Sequence, residues 1–157
     1  MAAPEPPRID DVTAADLDAV ARLEAESFLT PWHLDSFREA LDRPYSLFLA
    51  LRLNDRLIGY SLSWVVADEL HILKFAVEES LRRNGFGRRL LAETLRRARA
   101  ANAAMAWLEV RPSNEAAIAL YSRHGFHKAY TRKKYYADTG EDALIFMGDL
   151  LALEKPA

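Results

Sequence analysis

The chain has no cysteine among its 157 residues, which excludes disulfides, thiolate metal sites and cysteine nucleophiles together and leaves the redox compartment open. No apolar run approaches the roughly 20 residues of a membrane-spanning helix, so no membrane partner is expected. The opening MAAPEPPRIDD is rich in proline and acid and lacks the apolar stretch of a secretory signal, which makes a cytoplasmic protein the expectation. Charge of one sign is also missing: 21 Lys and Arg stand against 23 Asp and Glu, and a net charge of -2 gives no bulk field for nucleic acid, so none is expected as a direct partner. The four histidines, His33, His71, His124 and His127, show no HExxH or similar pairing, and no metal is assigned.

Half of the residues are hydrophobic and 28% charged, the balance of a globular chain long enough to bury a core as one domain. The domain is expected over residues 9–151, with a flexible N-terminal segment over 1–8 and a flexible tail over 152–157. Thr13 and Asp16 have the spacing of a helix N-terminus, and the helix should run to about Ser27, before Pro31 disfavours helical geometry at Thr30. LDSFREAL predicts a second, short helix. SLFLALRL and RLIGYSLSWVV read as strands joined by a hairpin at Asn54-Asp55, and ELHILKFAV as a third. MAWLEV is a compact buried strand between two helical segments, and HKAYTRKKYYA with DALIFMGDL predicts a closing antiparallel pair. Strands, helix, strand, helix, strands is the order of an α/β domain with a mixed sheet.

Glycine is scarce, and two of the six fall in LRRNGFGRRLL, Leu81 to Leu91. A dinucleotide fingerprint would need Gly or Ala where Leu90 stands, and a P-loop would need Gly-Lys-Ser/Thr; both are excluded. At about 100° per residue Gly87, Leu91, Thr94, Leu95 and Ala98 share one side of the following helix, with Arg89, Glu93, Arg96 and Arg97 on the other. Gly87 then faces the sheet and Gly85 occupies the turn. Amides from Arg83 to Arg88 at such a helix start attract phosphate, each charge–dipole contact contributing about 0.3–1 kcal/mol. A plain turn carrying a solvated arginine face fits the spacing equally well. A nucleic-acid patch fits less well, because no aromatics interleave with the helix arginines.

Downstream, WLEVRPSNEAAIALYSRHGF, Trp107 to Phe126, places a lone acid, Glu109, in a buried strand ahead of a helix capped near Ser113 or Asn114 and stopped by Gly125. Ala117, Leu120, Tyr121 and His124 share that helix's inward face. Taken singly, Glu109 reads as a strand-edge acid and Tyr121 as a core tyrosine with its hydroxyl at the rim.

Together these strings resemble the GNAT N-acetyltransferase superfamily. Arg82-x-x-Gly85-x-Gly87 matches its acetyl-CoA pyrophosphate motif, Q/R-x-x-G-x-G/A. The stretches LEVRPSNEAAIALYSRHGF, RKKYYADTGEDALIFM and Glu26-x-x-x-x-Pro31-Trp32 (ESFLTPW) are similar to the RimI-like ribosomal-protein-alanine N-acetyltransferases. The resemblance spans Ile9 to about Leu150. It implies a single-domain, mixed and mostly antiparallel sheet with a splayed central strand pair and flanking helices. It implies acetyl-CoA as co-substrate, held by backbone groups of Phe75, Ala76 and Val77, by the loop Arg82, Arg83, Asn84, Gly85, Phe86, Gly87 and Arg88, and by Asn114. Glu109 matches the general base and Tyr121 the general acid. Trp32, Tyr135 and Tyr136 would wall the acceptor channel. Two departures stand out: VEESL occurs where many relatives have Asp-Pro after the strand, and Lys74 replaces a smaller polar residue.

The implied acceptor is the α-amine of an N-terminal alanine on a basic ribosomal protein. An α-amine titrates near 7.7–8.0 and a lysine near 10.4, so neutralising lysine costs about 3.5 kcal/mol more at pH 7. One glutamate suffices for the easier task. Lysine side-chain or small-molecule acetylation is the alternative on the same scaffold, and a non-enzymatic acetyl-CoA-binding module is disfavoured by the intact Glu109 and Tyr121. Asp35, Asp68, Glu69, Asp138, Glu141 and Asp142 form the acidic set expected to attract a basic peptide.

Overall fold

The structure, a computed structural model, describes residues 5–152. The outer parts of the expected flexible ends, 1–4 and 153–157, lie outside the described residues. In chain order the elements are β1 (Arg8–Asp11), α1 (Leu17–Ser27), α2 (Leu34–Asp42), β2 (Ser46–Leu53), β3 (Arg56–Val66), β4 (Glu69–Val77), α3 (Phe86–Ala100), β5 (Met105–Val110), α4 (Glu115–Arg123), β6 (His127–Arg132) and β7 (Ala143–Asp149). The strands are ordered β1-β2-β3-β4-β5-β7-β6. The β1–β2, β5–β7 and β6–β7 ladders are antiparallel and β4–β5 is parallel, which is the mixed α/β sheet expected.

Four strands, β2 to β5, keep the limits read from the sequence, because strong local signals bound each of them. Asn54 and Asp55 both take positive φ, 51° and 65°, the geometry of a type I′ hairpin turn. Before α1, the Asp16 carboxylate accepts the Thr13 N–H at 2.8 Å. Two elements differ. Arg8, expected in the loose N-terminal segment, opens β1. RIDD has one aliphatic residue and no apolar alternation, so its strand rests on tertiary partners: Arg8 to Asp11 pair with Arg52 to Leu49. The half-buried Arg52 also donates to Asp10 at 2.7 Å and to both Asp16 oxygens at 2.7 and 2.8 Å. At the other end, β6 stops at Arg132 rather than running on through the tyrosines. Lys134 turns to φ 47° and its N–H goes to Asp142 Oδ1 at 2.9 Å, so Tyr135 and Tyr136 lie in a turn.

The described residues divide into two compact units. The first holds those up to Ser63 together with Lys74–Thr94. Its core includes Leu49, Leu51, Ile58, Val77 and Leu90, all buried. The buried start of α3 is Leu90, Leu91 and Thr94, and Thr94 satisfies its hydroxyl on the Leu90 carbonyl at 2.8 Å and on Ser61 at 2.9 Å. Gly59 is required by a close approach within this unit. A Cβ there would meet the Ala76 carbonyl oxygen at 2.9 Å and Leu51 at 3.2 Å.

The second unit holds Trp64–Leu73 and the described residues from Leu95 on. Ala106, Leu108 and Val110 bury one face of β5, while Trp107 and Glu109 alternate to the other. Tyr121 of α4 packs against Phe126 at 5.7 Å between ring centres.

Candidate active site

In the first unit the expected cofactor residues cluster at the end of β4 and the start of α3. The Ala76 carbonyl points at Gly59 on β3, so strand alternation turns the polar groups of Phe75 and Val77 to the other edge. There the Val77 carbonyl accepts Arg82 Nε at 3.1 Å. Arg82 therefore brackets the loop onto the strand end instead of projecting freely. Asn84 continues the loop, donating Nδ2 to the Leu81 and Arg82 carbonyls at 3.0 and 3.1 Å. Arg83 and Gly85 adopt φ of 66° and 79°, and the space around Gly85 is open, so glycine serves conformation there rather than room. Arg89 N–H makes a helix-opening bond to the Gly85 carbonyl at 3.1 Å. The amides of Phe86, Gly87 and Arg88 precede it, the arrangement of a helix start that receives an anion.

The same unit contains a buried ionic cluster that the sequence reading did not foresee. Glu24, on the inner face of α1, is fully buried. It accepts from the Tyr60 hydroxyl, from the Trp32 N–H at 2.8 Å and from Lys74 Nζ at 2.8 Å. Burial first, and the adjoining Glu24 second, hold the Tyr60 phenol far above its ordinary value. Lys74 Nζ also lies 4.4 Å from the Phe28 ring centre and 5.2 Å from that of Trp32. Lys74 thus points inward as a counter-ion, and Trp32, expected on the acceptor wall, is held through its backbone.

In the second unit the parallel ladder pairs His71 with Trp107 and ends at Ile72 and Leu108, so Glu109 is the first β5 residue beyond it. Glu109 Oε2 lies 2.9 Å from His71 Nε2, the two side chains being 15% and 18% exposed. The imidazole lies flat on Trp107, with centroids 3.7 Å apart and planes 7° off parallel. Trp64 meets its edge at 6.4 Å. His71 is thus a site residue that sequence reasoning missed. The period of two puts Trp107 and Glu109 on one face, but without the β4–β5 register nothing assigns His71 to them.

Tyr121 is buried, and burial holds its phenol well above the ordinary tyrosine value. Asn114 caps α4, its Oδ1 accepting the Ala117 N–H at 3.1 Å. Tyr135 and Tyr136 meet edge to face at 5.0 Å, and the Arg111 guanidinium lies 3.9 Å over Tyr136. Burial pushes the Tyr136 phenol up to about 12 against the opposing pull of Arg111. Arg111 forms a fork on Asp138 at 2.7 and 2.9 Å and reaches Glu141 at 3.5 Å. Lys133 pairs with Asp142 at 3.4 Å and Arg38 with Asp35 at 2.6 Å. Four of the six acids expected to steer a basic acceptor are therefore engaged by cations of this chain, which leaves little uncompensated charge for long-range steering. Among the described residues, no group of three or more His, Asp or Glu converges to hold a metal, and no helix is long and apolar enough to cross a membrane.

Known proteins share this arrangement of elements. The model of the acetyltransferase (GNAT) family matches residues 17–126. A putative [ribosomal protein bS18]-alanine N-acetyltransferase of Bacillus subtilis is 38% identical over 131 residues, covering 83% of this chain and 87% of the relative. The [ribosomal protein bS18]-alanine N-acetyltransferase of Salmonella typhimurium is 36% identical over 87% of this chain and 93% of its own length. The crystal structure of the ribosomal-protein-S18-alanine N-acetyltransferase of Escherichia coli superposes with a TM-score of 0.85 at 33% identity, over 92% of this chain and 94% of that one. By the match to that family model and to these relatives over most of its length, the chain belongs to the GNAT acetyltransferase family.

Proposed function

We propose that the protein transfers the acetyl group of acetyl-CoA to the α-amine of a protein beginning with alanine, the acceptor being a ribosomal protein. The relatives named for that reaction support the substrate class. The observation that carries the chemistry is Glu109, a carboxylate just past the parallel ladder, held by one imidazole and still partly open to solvent.

The loop Arg82–Arg88 fits a diphosphate: its left-handed turns deliver successive amides to the start of α3, and arginines surround it. Backbone groups at the end of β4 suit the amides of pantetheine, and the Asn114 side chain at the start of α4 is an amide of the kind that contacts such a cofactor. Aromatic side chains of each unit, Trp32 in the first and Tyr135 and Tyr136 in the second, suit contact with an acceptor that has a small first side chain.

In the reaction the neutral amine nitrogen attacks the thioester carbonyl carbon. Glu109 takes the proton released from nitrogen, the C–S bond breaks, and its electron pair leaves on sulfur. Tyr121, protonated throughout the working range, donates its hydroxyl hydrogen to that sulfur. A thiol near 8.5 is a stronger acid than a buried phenol, so complete transfer is uphill by more than about 2 kcal/mol, and the hydrogen bond to the departing thiolate is the larger contribution. No covalent enzyme intermediate is needed.

Glu109→Gln and Tyr121→Phe preserve shape and remove proton transfer. Each should lower turnover by about 10²–10⁴-fold. Acetyl-CoA affinity, measured by calorimetry, should be retained in Glu109→Gln. Near-wild-type turnover in both variants would assign the chemistry elsewhere.

A further inference from the structure

We propose that His71 is a positioning residue for Glu109: its Nε2–H donates to the carboxylate and aims it. The inference rests on the reading of Glu109 as the base.

The imidazole is fixed on three sides. Its face lies on Trp107, its edge meets Trp64, and Nε2 is 2.9 Å from Glu109 Oε2. The ring cannot tilt away without losing the stack. The carboxylate therefore has one held oxygen, Oε2, and leaves Oε1 for the amine proton. Without the donor, a glutamate side chain at a strand end rotates among its rotamers, and the fraction aimed at the substrate falls.

The other groups around the pair are uncharged or already engaged. Glu109 faces it from β5. The turn after β6 contributes Tyr136, uncharged because its phenol is pushed up to about 12, and Arg111 above Tyr136 is already committed to Asp138. β3 contributes the neutral Trp64, and β7 places Met147 opposite Trp107.

The test compares the wild type with His71→Phe, His71→Gln and Glu109→Gln. Phe keeps a flat ring for Trp107 and has no donor; Gln keeps an N–H donor and does not titrate. Turnover is measured at about pH 8 with saturating acetyl-CoA and an Ala-leading peptide, alongside the KM of each substrate and the melting temperature. His71→Phe should lose about 10–100-fold in kcat with little change in KM, and His71→Gln should recover to within about threefold of wild type.

Wild-type turnover in His71→Phe, with Glu109→Gln inactive, would overturn the role of His71 alone. So would equal losses in kcat for both His71 variants, the mark of a merely structural ring. An active Glu109→Gln would overturn the reading of Glu109 as base and this inference with it.

Discussion

Replacing Lys74 by Met should unsettle the first unit more than any other exchange of one surface-length side chain. Lys74 is the cation facing Glu24, which is fully buried, and their 2.8 Å contact is flanked by the Phe28 and Trp32 rings. Removing one member of a buried pair costs about 3–5 kcal/mol, because the other charge stays behind without its partner. Here the stranded carboxylate would still have the Tyr60 hydroxyl and the Trp32 N–H as donors, which favours the lower end, about 3 kcal/mol. For a chain of this size that is a fall of about 6–12 °C in melting temperature. Urea unfolding with an unchanged m-value would read it directly. Glu24→Gln in the same background removes the stranded charge, so the double variant should be more stable than the sum of the single losses by at least about 1 kcal/mol. The KM for the acceptor peptide should rise in Lys74→Met while acetyl-CoA affinity holds, since Glu24 also fixes the Trp32 backbone. A Lys74→Met protein unfolding within about 0.5 kcal/mol of wild type would refute the argument that this pair carries net stability.

Gly85→Val should weaken acetyl-CoA binding, seen by titration calorimetry, far more than it lowers the melting temperature. The φ of 79° is costly for a β-branched residue although the surrounding space is open. Unchanged binding in folded protein would remove the loop from the cofactor site. Arg52, by its hydrogen bonds, is the main cause of an Asp16 carboxyl held at about 2 rather than the usual 3.8. The unfolded chain therefore takes up this proton first as pH falls, and the stabilisation, roughly 2 kcal/mol, is complete above about pH 4 and lost on approach to pH 2. Asp16→Asn should cost a similar amount at pH 7 in urea unfolding and flatten the slope of stability in that acid window; an unaltered slope would place the linkage in other carboxylates.

What the sequence made legible follows from the range of each interaction. β2 to β5 and α1 were readable because their limits are set locally, by an Asn-Asp turn, a Thr-Asp cap and apolar runs. β1 was not, because RIDD is held by a ladder to β2 and by Arg52, 42 positions beyond Asp10. In the site, the motifs located the loop and the two proton-transfer candidates, since those positions carry unusual residues in short strings. His71 and Lys74 escaped because each is defined by a partner 38 to 50 positions away, Glu109 for the one and Glu24 for the other. The acidic steering surface was overestimated for the same reason: Arg111 meets Asp138 only across 27 residues. Burial of charge is a pairwise property, and composition reports charges one at a time.

The most direct test of α-amine transfer is to offer the protein acetyl-CoA with one basic, lysine-containing peptide in two forms, a free N-terminal alanine and an N-terminally blocked alanine, and to locate the acetyl group by mass spectrometry. The free peptide should gain one acetyl group on its first residue, and the blocked peptide should be nearly inert, because one carboxylate beside a histidine can manage an amine titrating near 7.7–8.0 far more readily than a lysine near 10.4. Comparable turnover of the two forms, with the label on lysine, would contradict it.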